Sequence, residues 1–182
     1  KQRGENNPTD NFEYEFILVD DSNTKNAWCM PGGKIAFYSG MLPIANNDDG
    51  IASIMGHEIA HAVARHSAER ASIAMLADIG TKAFETFVIG QSLPGSKYLR
   101  KFGLDLPFSR SQETEADYLG LIFMSIAGYN IEESYKVWER MIEETKRGNN
   151  SQFFSTHPSP DNRITKLKKW LPIVSSRYPA IG

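Results

Sequence analysis

His57, Glu58 and His61 stand in the run His57-Glu58-Ile59-Ala60-His61, and these residue types at this spacing could carry out metal-assisted hydrolysis. On a helix the two histidines lie one turn apart on one face, so both imidazoles reach a single ion while Glu58 stands beside them. In such a site two neutral imidazole nitrogens anchor Zn²⁺. The neighbouring carboxylate works on the reacting water without ligating the metal. The competing reading is an alanine-rich core helix with incidental histidines. With only four histidines in the chain, the motif is the more specific signal.

Catalytic zinc takes three protein ligands and one open position, so a third ligand must come from outside the motif helix. Ser109-Arg110-Ser111-Gln112 resembles a capping box. It starts a helix over 111–127 that is polar through Gln112–Asp117 and almost wholly apolar from Leu119 to Ala127. Glu113 and Asp117 are four apart and share a face, whereas Glu115 lies about 160° from Asp117. Glu113 is the candidate third ligand. Asp117 is the candidate acceptor for the far nitrogen of one ligand histidine. The alternative for this pair is a solvated helix N-terminus favoured by the dipole. His66 falls about 500° beyond His61 on a continuous helix, about 140° from its face, and is expected to point away and not to ligate.

These side chains need elements to hold them. From Ile51 to Ala64 nearly every residue outside the motif is apolar or small, so the motif helix, capped by Asp48, is expected to be surrounded by protein on most sides. Segments 14–19, 27–30 and 34–38, the last two flanking Pro31-Gly32-Gly33, read as a small antiparallel sheet. An exposed edge at Asn26, Ala27 and Trp28 would accept an extended peptide through main-chain hydrogen bonds; a purely structural hairpin is the competing reading. Residues 71–90 read as an amphipathic helix, and 71–108 as a whole as a lid, a membrane-facing element, or an ordinary packed helix and loop. A scaffold helix over 131–146 follows. Ser159 and Pro160 open a last helix, which Pro172 ends, and His157 sits just ahead of it.

The fold class is therefore α+β and predominantly helical, in one domain over 12–171 between a flexible tail 1–11 and a C-terminal tail 172–182. The 182 residues suffice for a sizeable core. Twenty basic against 22 acidic residues give a net charge of −2, which indicates no nucleic-acid or broad anionic-lipid surface. The single cysteine, Cys29, excludes an internal disulfide and reads as a small buried hydrophobe. The chain opens on Lys1, and the expectation is a missing native start that could have carried a signal, lipid anchor or membrane helix.

Three segments together resemble the signatures of metallopeptidase family 48: His57 to His61, Ser109 to Gly120 with its Glu113-Thr114-Glu115-Ala116-Asp117, and Thr156-His157-Pro158-Ser159-Pro160 through Arg163 and Ile164. The stretch from Asn26 to Lys34 is similar to that family's edge-strand segment. This gluzincin family includes the HtpX and CAAX prenyl protease branches and compact periplasmic and mitochondrial-stress branches. The resemblance implies a zincin-like domain with the motif helix at its centre and one Zn²⁺ on His57, His61 and Glu113. It implies Glu58 as general base, His157 stabilising the oxyanion with Arg163 supporting that corner, and protein or peptide substrates. It places the chain nearest the compact branches, as an endopeptidase of protein quality control or stress response. The expected location is the bacterial cell envelope, periplasmic and attached to the membrane through a missing N-terminal segment. Trp28 departs from the Phe common in the family. Two rivals stay open, a latent enzyme and a non-catalytic, zinc-stabilised peptide-binding or chaperone-like module. A fourth protein ligand, His66 or His157, would favour the second.

Overall fold

Three short strands form the sheet, and burial, not apolar content alone, separates the central strand from one of the edges. A computed structural model describes residues 9–70, 72, 107–148, 152–158 and 162–181. In it β1 (Glu15–Val19), β2 (Ala27–Cys29) and β3 (Lys34–Tyr38) form a sheet of order β1-β3-β2. β2 and β3 pair antiparallel, Trp28 opposite Ala36, and Gly32 and Gly33 between them adopt φ values of +90° and +92° that glycine takes without steric cost. β1, however, runs parallel to β3, with Ile17 opposite Ala36. The sheet is therefore mixed, not antiparallel throughout as expected. Ile35, Ala36 and Phe37 of the central strand are buried, whereas the equally apolar Phe16, Ile17 and Leu18 of the edge strand β1 are exposed. Among the described strands β2 is left at an edge, but the exposed edge expected at Asn26, Ala27 and Trp28 is not seen: Ala27 is buried and the other two are half-buried.

The sheet rests on one flank of the motif helix through Cys29, Ile35 and Ala62, joined by Met55 and Ile59. A 3₁₀ turn, Ser39–Met41, and α1 (Leu42–Ala45) lead into that helix, α2 (Asp48–Val63). Asn47, not Asp48, is the N-cap: its Oδ1 accepts from Gly50 N–H at 2.8 Å, while Asp48 and Asp49 sit in the first turn where the helix dipole favours acids. α2 stops at Val63. Arg65, at φ +60°, turns the chain before a further helical run at 66–70.

The capping box at Ser109 is present in both directions, and α3 spans Arg110–Ile126. α3 crosses α2 at a pair of glycines. A Cβ on Gly120 would lie 3.1 Å from the backbone nitrogen of His57, and one on Gly56 would lie 3.2 Å from the carbonyl oxygen of Gly120. Glu113, Asp117 and Gly120 follow i, i+4, i+7 along one stripe. The close approach at Gly120 therefore aims both acids at the histidine face of α2. α4 (Glu133–Lys146), α5 (Gln152–Thr156) and α6 (Arg163–Arg177) complete the core, in which Leu121, Met124, Trp138, Met141, Phe153 and Leu167 pack together.

α5 was not expected, and α6 does not end at Pro172 but runs through it to Arg177. Proline forfeits one helical hydrogen bond. Val174, fully buried, and the carbonyl of Tyr178, which accepts from Ser125 Oγ at 2.6 Å, hold the last turns in place. Residues 172–177 are thus helix and not tail. The expected tail as far as residue 8, the helix at 71–90, the lid at 71–108 apart from Ser72, Pro107 and Phe108, and the start at Ser159 and Pro160 lie outside the described residues. Among the described residues no helix is long and apolar enough to cross a membrane. Cys29 is buried, and burial with the nearby Glu58 charge pushes its thiol up to about 12, as suits a core residue.

Gly120→Val places two methyl groups against the backbone of α2 and is expected to cost about 1–3 kcal/mol, read as a lower urea midpoint. An unchanged midpoint would mean that the helix crossing does not depend on this contact.

Candidate metal centre

α2 presents His57 and His61 on one face because they are one turn apart, and the structure brings their Nε2 atoms to 3.1 Å of each other. Glu113 of α3 meets both: Oε2 lies 3.5 Å from His57 Nε2 and Oε1 3.2 Å from His61 Nε2. Donors held about 2.0–2.1 Å from a tetrahedral zinc stand about 3.3 Å apart. The imidazole–imidazole distance and the approach of one carboxylate oxygen to each imidazole all fall near that length. His157, at the end of α5, adds a fourth donor. Its Nδ1 lies 3.0 Å from Glu113 Oε1 and 3.3 Å from His57 Nε2, and the four donor atoms fall within 4.8 Å of one another.

All four residues are buried, Glu113 completely. Among the described residues Glu113 Oε2 and Glu58 Oε1 have no hydrogen-bond partner, although Arg163 Nη1 comes within 2.9 Å of the former. That approach has the distance of an ion pair without the angles of a hydrogen bond, so the carboxylate keeps an unspent acceptor in a buried site. Such an atom is costly to leave unsatisfied. A divalent cation between the two imidazoles would satisfy it. Two imidazoles and a carboxylate form a donor set suited to catalytic zinc, so the residues present fit the group.

Charge is arranged to the same end. Burial opposes a proton on His57, but its bonds to Asp117 and Glu113 outweigh burial and carry its pKa up to about 9. Burial pushes His61 well below the usual histidine range. For Glu113 burial also opposes the charge, yet contacts with His157, His57 and His61 hold its carboxyl far below the ordinary carboxylate range. The cluster thus keeps an anion buried and attracts positive charge to it. Glu58 is raised by burial, with the charges of His157 and His57 pulling it back only in part; its Oε1 lies 3.3 Å from His157 Nε2.

Asp117 falls where the helical spacing put it, with Oδ1 3.0 Å from His57 Nδ1. Donation from Nδ1–H leaves the Nε2 lone pair for a metal. Arg163 Nη2 donates to Asp117 Oδ1 at 2.5 Å, its Nη1 lies 2.9 Å from Glu113 Oε2, and its guanidinium lies 3.5 Å over the Trp138 ring, so it meets both acids, one of which also meets His157. His157 is held instead by stacking on Phe153, centroids 4.2 Å apart. Asn26, Ala27 and Trp28 lie on the sheet edge and are not among the clustered donors.

His66 is the clearest correction. It is buried, and its Nδ1 lies 2.9 Å from His61 Nδ1. The expected 140° offset assumed an unbroken helix, and the left-handed Arg65 breaks it. Phe108 was also missed. Its ring stacks on His61 with centroids 3.7 Å apart, and its N–H donates to Thr156 O at 2.9 Å. The available signal was a lone aromatic immediately ahead of the capping box.

Residues 3–171 match the sequence profile of peptidase family M48. The mitochondrial metalloendopeptidase OMA1 of Saccharomyces cerevisiae is 42% identical over 180 residues, which cover 96% of this chain and 52% of that protein. The protein of the same name from Schizosaccharomyces pombe is 42% identical over 164 residues, 88% of this chain and 48% of that one. The one from Arabidopsis thaliana is 36% identical over 153 residues, 83% of this chain and 30% of that one. The chain thus spans about half the length of the two yeast relatives or less of the plant one. The bacterial cell-envelope location expected from the sequence is overturned by these relatives, whose names point to mitochondria.

Asp117→Asn keeps the shape of the His57 partner but removes its charge. It is expected to weaken zinc binding about 10-fold to 100-fold, measured by competition with a chromophoric chelator.

Proposed function

The chain belongs to peptidase family M48, and from that membership we propose that it is a zinc-dependent endopeptidase that hydrolyses peptide bonds in proteins. The observation that carries this reading is the buried triangle of His57 Nε2, His61 Nε2 and the Glu113 carboxylate with Glu58 adjoining it. His57, His61 and Glu113 would hold the metal. Bound zinc supplies Lewis acidity, polarising a carbonyl and lowering the pKa of water towards about 7.

The chain's own residues do the rest. Glu58, held dry and with its pKa raised by burial, accepts the proton of the water that attacks the peptide carbonyl and returns it to the leaving amine. His157 Nε2, on the Glu58 side of the cluster, is placed to donate to the carbonyl oxygen as negative charge develops there. Asp117 orients His57, and Arg163 holds Asp117 and Glu113 in position. β2, an edge strand among the described residues, would offer main-chain groups to an extended substrate. The peptidase unit is residues 12–171 with α6 continuing to Arg177. The relatives' names favour a mitochondrial site of action, and protein quality control is the role the resemblance suggests.

One observation favours a second reading. His157 Nδ1 stands within ligand distance of the other donors, so the arrangement also suits a closed four-donor site, as a latent enzyme or a non-catalytic binding module would have. Catalysis then requires His157 to withdraw from the metal.

Glu58→Gln is expected to retain one zinc per chain while casein cleavage falls about 10²–10⁴-fold; cleavage at the wild-type rate would overturn the assignment. In the same assay His157→Ala separates the two readings. A fall in rate supports oxyanion stabilisation, and a rise supports a capped, latent site.

A further inference from the structure

Glu113, Glu115 and Asp117 alternate along the first turns of α3, and two of the three are accounted for by the site. The third, Glu115, faces another way, and its Oε2 lies 3.2 Å from His66 Nε2. His66 in turn places Nδ1 2.9 Å from His61 Nδ1. We propose that His66, backed by Glu115, is a positioning residue for the zinc ligand His61; this rests on the zinc reading above.

The directions of the bonds follow from the ligand's chemistry. A His61 that gives its Nε2 lone pair to a metal carries its proton on Nδ1. His66 Nδ1 then accepts that proton's hydrogen bond, which places the His66 proton on Nε2, aimed at Glu115. One ligand histidine is thus oriented directly by a carboxylate, His57 by Asp117, and the other through an interposed imidazole. The chain of bonds runs outwards, from the buried His61 through the buried His66 to a Glu115 side chain that is 60% exposed.

His66 is held for this task by more than its own bonds. Arg65, at φ +60°, swings the chain back so that residue 66 returns to the site. Gln112 Nε2 donates to Glu69 Oε2 at 2.7 Å, tying the helical run 66–70 to α3. Phe108 stacks on His61 and covers one face of its ring. Simple space-filling by His66 would demand none of the facing nitrogens, and replacing it with a ring of similar size would then leave metal binding unchanged.

Zinc affinity, measured by chelator competition on the full chain, tests the relay. His66→Phe, which keeps the bulk, is expected to weaken binding about 10-fold to 100-fold. His66→Gln, whose amide can both accept and donate, is expected to recover most of that loss. Glu115→Ala, at an exposed carboxylate, is expected to cost about 3-fold to 10-fold. ¹⁵N spectra of the zinc-loaded wild type should show His66 protonated on Nε2 and bare on Nδ1. Wild-type affinity in His66→Phe, or a proton on His66 Nδ1, would overturn the proposal. If His66→Phe does not fold, wild-type affinity in Glu115→Ala overturns it equally. Glu113→Gln serves as the control for the ligand set: undiminished affinity in that variant removes the zinc reading itself, whereas undiminished affinity in His66→Phe alone removes only the relay.

Discussion

Glu113 is a carboxylate with no exposure to solvent, and its burial is the constraint around which both fold and site are arranged. A lone buried anion would lose several kcal/mol of hydration. Three imidazoles and a guanidinium from α2, α5 and α6 gather round it because each lowers that cost. They can reach it because α3 lies close to α2, and α3 lies close because Gly56 and Gly120 present no side chains at the crossing. The absence of side chains at these two positions thus lets the histidines of α2 and the acids of α3 approach one another.

The same arrangement explains why so many polar groups sit in an apolar core. Arg163 is nearly fully buried, sandwiched between the Trp138 ring and the two acids. Removing either acid would strand a charge in a dry site, and such losses are far larger than the net worth of an intact pair. The cluster therefore acts as one unit in which positioning, charge and packing are inseparable. Its remaining acceptor among the described residues, Glu113 Oε2, is where a cation would complete it.

Much of this was legible in the sequence wherever one regular helix carried the argument. His57 with His61, and Glu113 with Asp117, share faces because four residues make about one turn, and Ser109 with Gln112 formed the capping box their types announced. Legibility failed where the backbone left that regularity. His66 was set facing away because a single left-handed residue, Arg65, is invisible to helical arithmetic. The parallel pairing of β1 could not be read from alternation, which says which strand is apolar but not which neighbour it takes. Pro172 was given the role of a stop although the burial of Val174 outweighs one lost hydrogen bond. Arg163 was recognised as part of the site, but nothing in its spacing shows that Trp138 and Asp117 hold it. Cellular location has no physical signature in a compact domain, and there the relatives corrected the reading.

Metal-edge X-ray diffraction from zinc-loaded crystals tests the central claim most directly. The expected result is one anomalous peak enclosed by His57 Nε2, His61 Nε2 and a Glu113 carboxylate oxygen, each about 2.0–2.2 Å away. A peak elsewhere in the molecule, or one at this cluster that leaves Glu113 beyond bonding distance, would contradict it.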